Sequence, residues 1–193
     1  MSHKVVHLLR HGPPRREGLL LGHGDEPPCD PAGGLHGAVP NDLVIRSITS
    51  SDLHRALAGA ETLAMARAVA LFVDRRWREL DFGAWDGLAP QSVPSDALAL
   101  FWDDPDAYPP PGGESWSTLQ SRVAEALTDL EDDGLAVTHG GAMRAAVSVV
   151  TGLDHRQVWA FDLPYGALLS LRIWSGDGQV GGQIIALRGK SVP

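Results

Sequence analysis

Cysteine is almost missing from this chain of 193 residues: Cys29 stands alone. A single thiol excludes an intrachain disulfide framework and a cysteine-rich metal centre. Lysine is nearly as scarce, with only Lys4 and Lys190 beside 14 arginines. Positive charge is in deficit overall, since 24 Asp and Glu against 16 Lys and Arg give a formal net charge of −8. No basic face is available to neutralise phosphates in number, so general binding to nucleic acid or to an anionic membrane is excluded. One small anionic ligand remains open to the chain, because it needs only a local cluster of cations. Long apolar runs are absent too: no stretch approaches the ~18 apolar residues of a membrane span. The apolar start of the chain is too short for a secretory signal, and Arg10-His11 interrupts it. The expectation is a soluble, cytoplasmic protein.

What is present is ordinary for a globular protein, with 44% apolar and 21% charged residues. The length fits one domain over residues 1–193 with a substantial core. Val5-Val6-His7-Leu8-Leu9 is a nearly continuous apolar run, which suits a strand buried on both faces of a parallel sheet. It ends at Arg10-His11-Gly12, ahead of a Pro/Gly-rich stretch to about Pro40. Leu43 to Thr49 reads as a second strand. Ser50 and Ser51 follow as N-cap candidates, with Asp52 suited to a helix first turn, and Ala56, Leu57, Ala60, Leu63 and Ala64 recur at helical spacing. Residues 81–113 are irregular and read as a lid-like excursion with one short helix near Ala97 to Trp102. Ser115 caps a further helix with the stripe Leu119, Val123, Leu127 and Leu130, and Gly134 reads as its stop. Leu135 to Thr138 is a third strand, and a helix from about Ala142 to Thr151 ends at Gly152. Leu168 to Trp174 and Gln183 to Leu187 form a terminal hairpin around Ser175-Gly176-Asp177-Gly178. Strands alternating with helices predict an α/β three-layer sandwich: a mixed, mostly parallel sheet with helices on both faces.

Three strand ends carry chemistry. The first delivers Arg10 and His11, the second leads to Arg55 in its helix, and the third gives His139. Ligands of open α/β sheets bind outside the carboxyl ends of the strands, so these groups can converge. Gly140 and Gly141 lie where a helix begins, where free N–H groups and the helix dipole favour an anion. Two Arg, two His and a helix N-terminus suit a phosphoryl group, which Arg binds bidentately while staying charged. Each signal alone has an ordinary structural reading; their order along the chain gives them weight. His7 and His11 at i, i+4 would pair as metal ligands only on a helix. On a strand they lie roughly 13 Å apart, and with no acidic cluster nearby no metal site is expected.

These segments resemble a known family. Leu9-Arg10-His11-Gly12 is similar to the signature of the histidine phosphatase superfamily, the group that includes the cofactor-dependent phosphoglycerate mutases. Gly22-His23-Gly24-Asp25 with Pro27 resembles the loop after the nucleophile. Ser50-Ser51-Asp52-Leu53-His54-Arg55-Ala56, continuing to Glu61-Thr62, resembles the second arginine motif. Arg78 to Gly87 resembles the general-acid segment, Pro111-Gly112-Gly113-Glu114-Ser115 a family loop, and Val137 to Arg144 the second histidine motif. The sequence departs from the family where Pro13-Pro14 replace a common Glu-Thr and where Arg15, Arg16 and Glu17 replace an Asn. Fewer neutral donors and more cations then surround the nucleophile.

The resemblance implies a cofactor-free phosphomonoesterase acting on a small phosphorylated metabolite. His11 attacks phosphorus and forms a phosphohistidine that water hydrolyses, and a neutral imidazole suits that role near pH 7. Arg10, Arg55, His139 and Gly140 would hold the phosphoryl oxygens, where transition-state charge resides. Glu79 is the expected general acid, its alternative being a surface partner of Arg76 or Arg78. His23, Arg15 and Arg16 are candidates for the substrate pocket, with plain loop positions as the alternative. Trp85, Trp102 and Trp116 bracket the excursion, either packing it or stacking on a substrate ring; His3, His36, His54 and His155 read as solvated. Leu163-Pro164-Tyr165-Gly166-Ala167 and the Pro-Pro-Gly-Gly-Glu-Ser loop look like the α-ribazole phosphatase branch, which acts late in cobalamin assembly. Other readings are mutase-type phosphoryl transfer, a non-catalytic phospho-ligand module, and a zinc or two-metal hydrolase. The short 81–113 region, and a chain that ends soon after its last strand, favour a phosphatase over a mutase.

Overall fold

The computed structural model describes residues 3–176 and 179–189. In chain order the elements are β1 (His3–Arg10), β2 (Ser47–Ser50), α1 (His54–Arg67), β3 (Ala70–Val73), α2 (Ser95–Asp103), α3 (Trp116–Asp129), β4 (Gly134–Thr138), α4 (Gly140–Thr151), β5 (Leu168–Gly176) and β6 (Gln179–Arg188). One-turn 3-10 helices lie at Arg75–Trp77, Gly83–Trp85, Pro90–Ser92 and Gln157–Ala160. The strands form one sheet in the order β3-β2-β4-β1-β5-β6. The first four in that order run parallel, while β5 and β6 run antiparallel.

The sheet is buried on both faces because its side chains alternate between two cores. Val6 and Leu8 of β1, Ala136 of β4 and Leu169, Leu171 and Ile173 of β5 join the core packed by α3 and α4. Leu9, Ile48, Leu135, Val137 and Leu168 point the other way, onto Ala56, Ala60 and Ala64 of α1. The three-layer sandwich read from the sequence is therefore the fold. In α3 the stripe Leu119, Val123 and Leu127 is wholly buried, and the Ser115 hydroxyl caps the helix by accepting the Thr118 N–H. Gly152 ends α4 in the left-handed conformation, φ 77°, which glycine adopts without steric cost.

Several boundaries differ from the sequence reading. β2 covers only Ser47–Ser50, and the preceding residues 43–46 run outside the sheet. β3, which the sequence did not reveal, is a four-residue edge strand with Phe72 and Val73 exposed, so it lacks the apolar pattern of a buried strand. The chain enters it through Ala68, a left-handed cap at φ 52° where glycine would have signalled the stop. Gly134 does not stop α3. The helix ends at Asp129, and Gly134 opens β4 in register with Val6 and Ser47. Asp52 does not enter a helix first turn but pairs with Arg75 and Arg78, and α1 starts at His54 with Leu53 as its cap. The hairpin expected at 183–187 extends over Gln179–Arg188; Asp177 and Gly178 of its turn lie outside the described residues. Within 81–113 the buried side chains of Trp85, Val93 and Phe101 tie the segment to the α3–α4 core. No helix among the described residues is long and apolar enough to cross a membrane.

Candidate active site

All four parallel strands end at the same edge of the sheet, and each feeds a functional segment. β1 ends in Arg10, and His11 follows with its N–H donating to Thr138 O of β4 at 2.9 Å. β2 leads to Ser51, whose N–H donates to Val137 O at 3.0 Å, and then to Arg55, the second residue of α1. β4 ends at His139, and α4 begins at Gly140. β3 leads through the turn Arg75–Trp77 to Glu79. Four segments distant in sequence thus meet around one cleft of about 360 Å³.

His11 lines this cleft and is almost entirely buried. Its Nδ1 lies 2.6 Å from the Gly12 carbonyl oxygen. A carbonyl only accepts, so Nδ1 carries the hydrogen and Nε2 holds the free lone pair. Burial, then the Arg55 guanidinium, push the His11 pKa down to about 3, so the ring is neutral and nucleophilic at neutral pH. His139 stands edge-on to His11 with ring centroids 4.9 Å apart. Its Nδ1 accepts from Arg55 Nε at 3.3 Å, which leaves Nε2–H to donate to Ser51 Oγ at 2.9 Å. Burial and Arg55 hold its pKa well below the usual histidine value. His139 is fully enclosed and is not part of the cleft wall.

Arg55 is also buried, and its guanidinium donates to the carbonyls of Gly22 (2.6 Å), Gly24 (2.8 Å) and Leu21 (3.2 Å). It therefore fixes the 21–24 loop as well as facing the cleft. Arg10 donates to Leu163 O at 2.6 Å and lies over the Tyr165 ring at 4.1 Å. Its Nε is buried with no hydrogen-bond partner among the described residues. A Cβ on Gly140 would sit 3.3 Å from both Arg10 Cζ and Arg144 Nη1, so two guanidiniums flank the start of α4. Among the described residues none of Arg10, Arg55 and Arg144 is within ion-pair distance of a carboxylate. A protein of negative net charge thus presents a pocket in which three arginines outnumber the one carboxylate, Glu79.

Glu79 lines the same pocket, with Oε2 accepting from Gly141 N–H at 2.9 Å and Oε1 from Leu80 N–H at 2.8 Å. It does not pair with Arg76 or Arg78, which bind Asp74 and Asp52 instead. Its backbone is held from α3: Arg122 donates to the carbonyls of Arg76 and Arg78, each at 2.7 Å, and of Glu79 at 2.8 Å. Glu114 of the Pro111–Ser115 loop orients Arg122 and accepts from Asp81 N–H at 2.9 Å. That family-like loop works as a brace behind Glu79.

The model of the histidine phosphatase superfamily, branch 1, matches residues 6–183. The chain belongs to that superfamily. It is 32% identical over 171 residues to a protein of Salmonella choleraesuis named a probable phosphoglycerate mutase, covering 80% of this chain and 77% of the relative. In several mycobacterial relatives, 34% identical over 131 residues, the match covers only 35% of the relative's length. The fold is shared with a mycobacterial glucosyl-3-phosphoglycerate phosphatase (TM-score 0.79, 22% identity, 95% of this chain and 98% of the other). It is also shared with the α-ribazole phosphatase of Shigella flexneri (TM-score 0.72, 20% identity, 93% and 95%).

Of the remaining sequence candidates, Arg15, Arg16 and His23 fall outside this pocket. Arg15 and Arg16 are exposed and do not line it: Arg15 N–H donates to Pro27 O, and Arg16 pairs with Glu26. The short ladder between residues 13–15 and 27–29 carries them away from the cleft. His23 is not on the cleft wall either; its Nε2 meets Glu79 O at 3.0 Å, which makes it a further support of the Glu79 segment. His7 lies near Ser170 Oγ at 2.8 Å, across β1 and β5. Trp102 and Trp116 line the cleft while Trp85 is packed in the core, and His155, read as solvated, contributes to the cleft rim. Sequence reasoning missed Arg144, Tyr165, Trp159, Ser51 and Arg122 as working parts. Arg144 and Ser51 stand inside motifs quoted for other residues; Arg122 and Trp159 carry no local signal.

Proposed function

We propose that the protein is a phosphomonoesterase that hydrolyses a small phosphorylated metabolite through a phosphohistidine at His11. The observation that carries this reading is the fixed tautomer of His11: Nδ1–H is committed to Gly12 O, and the neutral ring offers Nε2 to a cleft lined by Arg10 and Arg55. In the first step Nε2 forms a bond to phosphorus as the ester P–O bond breaks, and Glu79 supplies the proton to the departing oxygen. In the second step Glu79 takes a proton from water, whose oxygen displaces His11 and yields inorganic phosphate. Arg10, Arg55 and the Gly140 N–H at the start of α4 stabilise the charge spread over the transferring oxygens. His139, locked between Arg55 and Ser51, keeps Arg55 and His11 in mutual position. We read residues 1–193 as one domain of this kind, with 81–113 as the segment that roofs the cleft.

Among named substrates, α-ribazole phosphate is the first to test, on the resemblance of the 111–115 and 163–167 loops. Tyr165 supports that placement, since it lies beside both His11 and Arg10. The decisive experiment is rapid quench with a ³²P-labelled monoester. Wild type should accumulate acid-labile phosphate that maps to His11, and His11→Ala should show neither label nor turnover. Substantial turnover by the variant would overturn the mechanism.

A further inference from the structure

The cleft is larger than a phosphoryl group requires, and its two ends differ in chemistry. His11, Arg10 and Arg55 form the charged floor. The outer part is walled mainly by Leu20, Phe82, Phe101, Trp102, Trp116 and Trp159, with Glu79, Arg144, His155 and Tyr165 as its polar groups. Large exposed apolar side chains carry a cost that a binding surface recovers. Here Trp102 and Trp159 are 42% and 53% exposed although both border the cleft. Their rings meet edge to face, with centroids 5.4 Å apart, so one indole braces the other at the rim. Arg144 lies over the Trp159 ring at 3.9 Å. Its guanidinium has no carboxylate partner among the described residues, its Nε is buried without a partner, and it too borders the cleft. A flat cation stacked on an indole is a platform for a second π-face.

We propose that this outer chamber is a specificity site for the alcohol half of the substrate, and that it selects a flat aromatic group. The inference rests on the phosphomonoesterase reading and narrows it to esters of aryl-bearing alcohols, with Trp102, Trp159 and Arg144 as the specificity-determining residues. A ring in the chamber gains stacking and cation–π contact and displaces water from apolar walls. A polyol or sugar alcohol that carries no such ring gains neither contact, which selects against it.

The test uses monoesters of primary alcohols with similar leaving groups: benzyl, cyclohexylmethyl and propyl phosphate, with glucose 6-phosphate as the polyol. Wild type should show kcat/KM for benzyl phosphate about tenfold or more above propyl and cyclohexylmethyl phosphate, on the scale of aromatic stacking, with glucose 6-phosphate lowest. Trp102→Ala and Trp159→Leu, both at exposed positions, should collapse the benzyl-to-propyl ratio toward one, mainly through KM. Equal rates on benzyl and cyclohexylmethyl phosphate, or a preference for glucose 6-phosphate, would overturn the proposal while leaving hydrolysis intact. If no ester is hydrolysed, the phosphomonoesterase reading fails, and benzylphosphonate binding followed by tryptophan fluorescence decides the chamber. Binding that Trp102→Ala weakens supports the chamber; no binding, or binding indifferent to Trp102, refutes it.

Discussion

A methyl group added at Gly141 separates the chemistry of Glu79 from the stability of the fold. A Cβ there would lie 2.1 Å from Glu79 Oε1 and 3.1 Å from its carboxyl carbon. Ordinary contact requires the carboxylate to retreat by about 1 Å. The retreat breaks the 2.9 Å bond from Gly141 N–H and strains the 2.8 Å bond from Leu80 N–H; a bond to a carboxylate is worth about 1.5–3 kcal/mol. Alanine recovers about 0.5–1 kcal/mol in a helix relative to glycine. Stability should therefore fall by about 1–3 kcal/mol, which leaves the fold intact with Tm lowered by several degrees. Catalysis is more exacting. A displacement of about 1 Å costs on the order of 10²-fold, within the 10²–10⁴-fold range of a general acid. Gly141→Ala should lower kcat for an alkyl phosphate about 10²-fold and for p-nitrophenyl phosphate, whose leaving group needs little protonation, by less than tenfold. Glu79→Gln should repeat that pattern without the steric change. Steady-state kinetics on the two esters and a thermal melt of each variant provide the check. Equal losses on both esters would show that Glu79 is not the acid, and an unaffected alkyl rate in Gly141→Ala would refute the contact itself.

Two further outcomes follow from the site. The folded pKa of His11, about 3, lies below its unfolded value near 6.5, so the unfolded chain takes up the proton first. The stability that neutral His11 confers is complete above about pH 6.5 and is lost as pH falls toward 3, and His139 acts in the same direction. Between pH 7 and 5.5 wild type should lose about 1 kcal/mol more than His11→Asn in urea unfolding; equal losses would show that His11 titrates normally in the fold. As a phosphatase the protein should release inorganic phosphate from monoesters and convert 3-phosphoglycerate to 2-phosphoglycerate negligibly, with or without bisphosphate primer. Efficient interconversion would instead place it with the mutases.

The fold class was legible because it depends on local pattern: apolar runs at Val5–Leu9 and Leu135–Thr138, and a clean 3.6 period in α3. Short edge elements were not. β3 is exposed and lies beside β2 only because the parallel register carries it there, and Gly134 resembled a helix stop because a left-handed turn, Asp133 at φ 57°, sits directly ahead of it.

Residue type and order alone singled out the candidate set of the site: Arg10-His11-Gly12, Arg55, Glu79 and His139-Gly140. These are short segments at strand ends, where backbone geometry and side-chain chemistry are set within a few residues. The tertiary structure decided which residues share the cleft. It sent Arg15 and Arg16 to the surface through the ladder with residues 27–29, and enclosed His139 between Ser51 and Arg55. It brought Arg144, Trp159 and Tyr165 to the cleft from beyond β4. Such neighbours are set by helix packing and sheet order across more than a hundred residues of sequence. Burial and charge at the cleft, which keep the His11 ring neutral, exist only once those distant segments have met.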